Sequence, residues 1–265
     1  MKGLTDVNNK QIRKNAWALY KANFQKLLPA MVLLQLLTFL PGIVIGRAAP
    51  GGLVELLATQ LSTMLFAPIT LCGVAAFSLD ILHGGAPKTH LMFAHVKDFR
   101  RTLKIWLAAL AYYGPVLALN ATTLVLLNVA SVPSEKDVAE IGTLLLLLAL
   151  ILVLTVFGIW LSLRFTLFSY AVVKNPEAGA GEWLKTSWRA MKGNCGRQIR
   201  MVISIFWPGV VVGLIISLVA GRSGAGSAIN LPTLSIMIFQ CFYMGYPLLA
   251  LAGFADSLLV KDQNM

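Results

Sequence analysis

Six stretches of this chain run without a charged residue for as long as a membrane-crossing helix, and this pattern constrains the fold more than any other feature. The runs are 27–46, 56–79, 105–134, 141–163, 201–220 and 223–255, of 20, 24, 30, 23, 20 and 33 residues. A helix rises about 1.5 Å per residue, so about 20 apolar residues cross a hydrocarbon core of roughly 30 Å. The longer runs leave room for tilt, a loop or an interfacial extension. The leucine run 144–148 lacks the alternation of a barrel strand, whereas a helix satisfies its own backbone in lipid. Apolar residues make up 57% of the chain and charged residues 12%, where a soluble domain carries about 25% charged. In water that much apolar surface would aggregate. The expectation is an all-α polytopic membrane protein, a single membrane domain over 1–265 with six transmembrane helices.

The basic residues give that expectation an orientation. Segments 1–26, 80–104 and 164–200 hold six, five and seven Lys/Arg, and the tail adds Lys261, so 19 of the 22 fall on one side. Arg47, Lys136 and Arg222 are the three on the other side, beside Glu55, Glu135, Asp137 and Glu140. The positive-inside rule places the first side, including both termini, in the cytoplasm of a cell membrane. The net charge of +11 is then a topology signal. No nucleic-acid partner is expected, because no base-reading module accompanies the charge. The first apolar run follows 26 polar residues and is too long for a signal core, so it reads as a retained helix. Cys72 and Cys241 fall in spans and Cys195 in a cytoplasmic segment, which argues against disulfides.

The basic segments contain a repeat. At an offset of 171, Lys14, Trp17, Lys21 and Asn23 meet Lys185, Trp188, Lys192 and Asn194. Within the spans, the stretch from Phe39 through Pro41 and Gly42 to Gly46 resembles that from Phe206 through Pro208 and Gly209 to Gly213, at an offset of 167. A weaker basic-aromatic stretch, Phe99 to Trp106, precedes the third span. Three parallel hairpins follow, 10–84, 88–174 and 181–260, each led in by an amphipathic helix on the cytoplasmic side. Trp17, Tyr20 and Phe24 share a helical face flanked by lysines, as do Trp188 and Met191. Such helices lie at headgroup depth, so Lys14, Trp17, Lys21, Lys185, Trp188 and Lys192 are the candidate anchors to anionic lipid headgroups. Ordinary juxtamembrane anchoring is the simpler alternative to specific lipid recognition.

The spans themselves are poor in chemistry. Gln35, Asn120 and Gln240, with Thr155 and Tyr243, are neutral polar groups near mid-depth, and Pro68 and Pro115 are candidate kinks. Such groups either hold helices together or line a substrate path. Asp80, Arg164 and Asp256 stand at cytoplasmic span ends, either as one ion cluster or as three separately solvated charges. His83 is too loosely placed to form an acid–base pair with Asp80, and His90 and His95 do not share a helical face for a metal. Gly42/Gly46 and Gly209/Gly213 have the spacing of close helix contacts, within the chain or in a homodimer. No phosphate-loop, dinucleotide, nucleophile-elbow or zinc-protease motif is present, so no cofactor, metal or catalytic residue is expected.

One stretch carries a resemblance. Arg164-Phe-Thr-Leu-Phe-Ser-Tyr170-Ala-Val-Val-Lys174-Asn175-Pro176 is followed by Ser187-Trp-Arg-Ala-Met191-Lys192-Gly193-Asn194. It resembles the bacterial six-helix membrane family of unknown function numbered 975, in which an aromatic stretch runs into Asn-Pro and then into Ser-x-x-x-Met-Lys-Gly-Asn. The segment from Gly73 to Arg101, with Gly84 and Phe93, resembles the same family. More distantly the chain is similar to the membrane domain of some glycerophosphodiester phosphodiesterases. It departs from the family at Phe157-Gly158, where members often have Pro-Gly, and at Cys195, where a basic residue usually stands. The resemblance implies a fold and a location and adds no catalytic residue. The expected function is a non-enzymatic binding or accessory protein of the bacterial cell membrane, with a membrane-protein partner or a second copy as candidate partners. The alternative is a small permease or export component for an apolar compound or membrane-active peptide.

Overall fold

The computed structural model describes residues 8–48, 52–85, 89–93, 98–130, 138–220 and 231–263. Every regular element among them is helical: α1 (Asn9–Ala48), α2 (Gly52–Leu82), a short 3-10 helix (Thr89–Phe93), α3 (Phe99–Ala130), α4 (Val138–Phe165), α5 (Phe168–Lys174), α6 (Ala180–Met191), α7 (Cys195–Ala220), α8 (Leu231–Tyr243) and α9 (Gly245–Gln263). The described residues of the apolar runs lie mostly on helices, but the helices do not begin where the apolarity begins. The first lead-in segment and the first run are one continuous helix, α1. Its start is set by Asn8, whose side-chain oxygen accepts the Lys10 amide at 3.3 Å. The second lead-in is a separate helix, α6, which ends at Met191. The chain then turns through Gly193, whose φ of +79° is the left-handed conformation glycine adopts without strain.

Three helical segments among the described residues are long and apolar enough to cross a membrane: Met64–Leu82, Ala149–Lys174 and Cys195–Ile216. Six spans are more than the described residues support. The long final run divides into α8 and α9 at Met244, and Gly245–Val260 is a shorter apolar helix. At that division a β-carbon on Gly245 would come within 3.0 Å of the Tyr20 ring. The Tyr20 hydroxyl donates to the Phe242 carbonyl, one of the acceptors that the end of α8 leaves without a helical partner.

The packed core lies where α1, α2 and α9 meet. Ile12, Ala16 and Met31 of α1 interdigitate with Val74, Phe77 and Ile81 of α2 and Leu249, Phe254 and Leu258 of α9. A second buried cluster joins Cys72, Ile105, Ala108, Phe168, Val172 and Trp183, and so fastens α3, α5 and α6 to α2. Gly73 permits the tightest of these approaches, since a β-carbon there would lie 2.1 Å from the Met92 carbonyl oxygen in the 3-10 helix. The apolar segments of α4 and α7 behave differently, each being only 11% buried against 50% for Met64–Leu82.

The two repeated segments bury matching positions. On α1 these are Ile12 and Ala16, with Tyr20 half-buried; on α6, at the same offset of 171, they are Trp183, Ser187 and Met191. Their asparagines make the same local bond. Asn23 Nδ2 donates to the Leu19 carbonyl at 3.1 Å, and Asn194 Nδ2 to the Ala190 carbonyl at 2.9 Å.

Candidate functional site

Two basic side chains at helix ends, Lys174 and His83, approach Asp256. This residue lies on α9, buried beside α5 and α2, and accepts an ion pair from Lys174 Nζ at 2.8 Å. His83 Nε2, just past the end of α2, approaches its other oxygen at 3.4 Å. Lys174 closes α5, where a cation also meets the negative end of the helix. A cleft of about 420 Å³ opens beside Asp256 and His83, walled by Ile12, Asn15, Leu19 and Leu249.

Arg164 is placed elsewhere. Its guanidinium stands between two indoles, 5.5 Å from the Trp160 ring and 5.1 Å from the Trp188 ring, which meet edge to face. The Nε and Nη1 atoms of Arg164 are buried and make no hydrogen bond among the described residues, so the aromatic faces are their counterpart. The Asp80 carboxylate packs against Gly85, where a β-carbon would fall 2.3 Å from Oδ1, and the Gly85 amide donates to the Asp80 carbonyl at 2.8 Å. Of the three end charges, the structure thus pairs Asp256 with Lys174, seats Arg164 between tryptophans, and turns Asp80 to its own loop.

The motif before α7 has a clear mechanical role. The Ser187 hydroxyl donates to the Arg164 carbonyl at 2.9 Å and accepts the Leu167 amide at 3.1 Å. It thereby satisfies both sides of the short break between α4 and α5. Met191 is fully buried, Gly193 makes the turn, and the Asn194 carbonyl accepts the Gln198 amide at 2.9 Å as α7 begins. Trp183 Nε1 donates to the Asn175 carbonyl at 2.8 Å, tying α6 to the Asn-Pro corner.

The proposed anchors differ in setting. Trp17 is 45% exposed, stacked on Tyr20, with the Lys21 ammonium 5.2 Å from its ring. Trp188 is half-buried against Trp160 and Phe165. Lys14, Lys185 and Lys192 are exposed. Of the mid-depth polar groups, Gln35 is buried on α1 and Gln240 half-buried on α8. The side chain of Asn120 and the surroundings of Gly42 and Gly46 are outside what is described, and His95 lies outside the described residues.

The chain matches no family model, no curated protein and no solved structure.

Sequence reasoning passed over Lys174, Ser187 and Asn9. Lys174 carried a usable signal, a cation in the last turn of a short helix before Asn-Pro. Ser187 carried one only as a member of the motif. Asn9, which bonds to α7 across the fold, carried none.

Proposed function

We propose that this chain is a multi-pass protein of a bacterial cell membrane, with six spans on α1, α2, α3, α4, α7 and the α8–α9 pair and both termini cytoplasmic, and that it acts by binding rather than by catalysis. The observation that carries this reading is the exposure of the apolar faces of α4 and α7. Leu152, Val153, Val156 and Ile159 on α4, and Ile203, Val210 and Leu214 on α7, are all more than half exposed. Surfaces of this kind are tolerated in lipid and not in water. The ion pair at Asp256 and the aromatic seat of Arg164 support a structural use of the end charges. The matched buried faces and asparagine bonds of α1 and α6 support a parallel repeat, with the lead-in helices as interfacial anchors. Resemblance to the family numbered 975 rests on the motif whose parts join α4, α5, α6 and α7.

A carbene-generating reagent confined to the lipid phase tests this reading. In native membranes it should modify the exposed faces of α4 and α7 and spare Phe77 and Phe254. Protection of both helices, with modification confined to detergent-solubilised protein, would show that protein rather than lipid covers these faces.

A further inference from the structure

Four cations converge on a cleft of about 330 Å³ between the first turn of α1 and the first turns of α7. Lys10 and Arg13 come from α1, and Arg197 and Arg200 from α7, each pair spaced i, i+3 and so on one helical face. Asn8, Asn9 and Ser204 complete the wall, and among the described residues no acidic side chain takes part in it. Like charges on facing helices repel, so an uncompensated arrangement would splay the two ends apart. Here the ends are clamped. Arg197 Nε donates to Asn9 Oδ1 at 2.8 Å, and Asn9 Nδ2 returns a bond to the Arg197 carbonyl at 2.9 Å. The Arg197 guanidinium is also held 5.4 Å from the Phe254 ring. Arg13 Nε is buried without a hydrogen-bond partner among the described residues. The positive end of the α1 dipole points at the same space.

We propose that this cleft binds a phosphate group, the chemistry shared by an anionic phospholipid headgroup and a soluble phosphate ester. Guanidinium forks match phosphate oxygens in pairs, and three arginines and a lysine around one cleft, with Arg197 held in place by Asn9, supply the charge a phosphate would meet. The site itself depends on the α1–α7 geometry; its lipid form rests on the membrane reading above.

The test uses the full chain, purified in a neutral detergent and titrated with two probes, inorganic phosphate and dihexanoyl phosphatidylglycerol. Thermal unfolding is the readout. The variant pair Arg13→Gln with Arg200→Gln should weaken the saturable stabilisation at least tenfold. The pair Arg100→Gln with Lys104→Gln, which removes the same charge from exposed positions on α3, should leave it unchanged. If the first pair impairs folding, Arg200→Gln alone, at an exposed position, gives the same comparison. A response to inorganic phosphate with none to the lipid identifies a soluble ester as the ligand class, a response to the lipid alone identifies a headgroup, and a response to both supports the phosphate site itself. Equal weakening by both variant pairs, or no saturable response to either probe, overturns the proposal. Lipid-phase labelling of α4 and α7 is read separately, so loss of the membrane reading would leave the phosphate result standing.

Discussion

Lys174 Nζ lies 2.8 Å from Asp256 Oδ1, with the two side chains 17% and 10% exposed. The pair joins the end of α5 to the middle of α9, and both groups have left water to form it. Removing one partner of such a pair leaves a buried charge uncompensated, which costs on the order of 3 kcal/mol. His83, 3.4 Å away but 59% exposed, offsets part of that cost when protonated.

Lys174→Ala should therefore destabilise the protein by about 2–3 kcal/mol. Arg164→Ala should cost less, about 1 kcal/mol in all for its two cation–π contacts. Thermal unfolding in detergent ranks the two. A larger loss for Arg164→Ala would mean that Arg164, rather than Lys174, neutralises Asp256.

Gly73→Ala should be among the most damaging single substitutions, because the neighbour at 2.1 Å is the Met92 backbone and not a flexible side-chain tip. The cost of overpacking is about 1–3 kcal/mol or more. Gly181→Ala, at an exposed helical position with nothing within 4 Å, should be neutral or stabilise by up to about 1 kcal/mol. Comparable unfolding temperatures for the two variants would mean that the 3-10 helix does not rest on α2 at Gly73.

Tyr20→Phe removes the hydroxyl that caps the Phe242 carbonyl at the end of α8. The loss should be about 1 kcal/mol. Burial also raises the Tyr20 pKa above its ordinary value of 10.0, so folding favours the neutral phenol. The contribution is present below pH 10 and declines as alkaline pH ionises the unfolded chain first. The wild type should lose stability through that window relative to Tyr20→Phe, and parallel unfolding curves for the two proteins at pH 8 and pH 10.5 would mean that Tyr20 is not buried.

The helices were legible in the sequence because apolar runs of this length have few other physical solutions. Their ends were less so. Hydropathy marks where lipid would begin, whereas α1 starts with the asparagine cap at Asn8, well before the first apolar run. The last run divides just before Pro247, which has no amide to continue the α8 ladder, and there the Tyr20 ring rests on Gly245, a contact between residues far apart in the chain. The partners of Asp256 were hidden for a related reason. Sequence position gives the depth of a charge along its helix but not the rotation of that helix, and rotation decides that Lys174 faces Asp256 while Arg164 faces Trp160 and Trp188. The cleft of Lys10, Arg13, Arg197 and Arg200 joins two basic turns far apart in the chain, which the Asn9–Arg197 clamp ties together.

A membrane-spanning fold with its basic segments on the cytoplasmic side fixes which loops face the outside, and labelling of single cysteines reads this out. With Cys72, Cys195 and Cys241 replaced, a lone cysteine within 134–140 should react with an impermeant maleimide on intact cells. One within 185–194 should react only after permeabilisation. The reverse pattern, or equal reaction of both sites in intact cells, would mean that the basic segments do not lie in the cytoplasm.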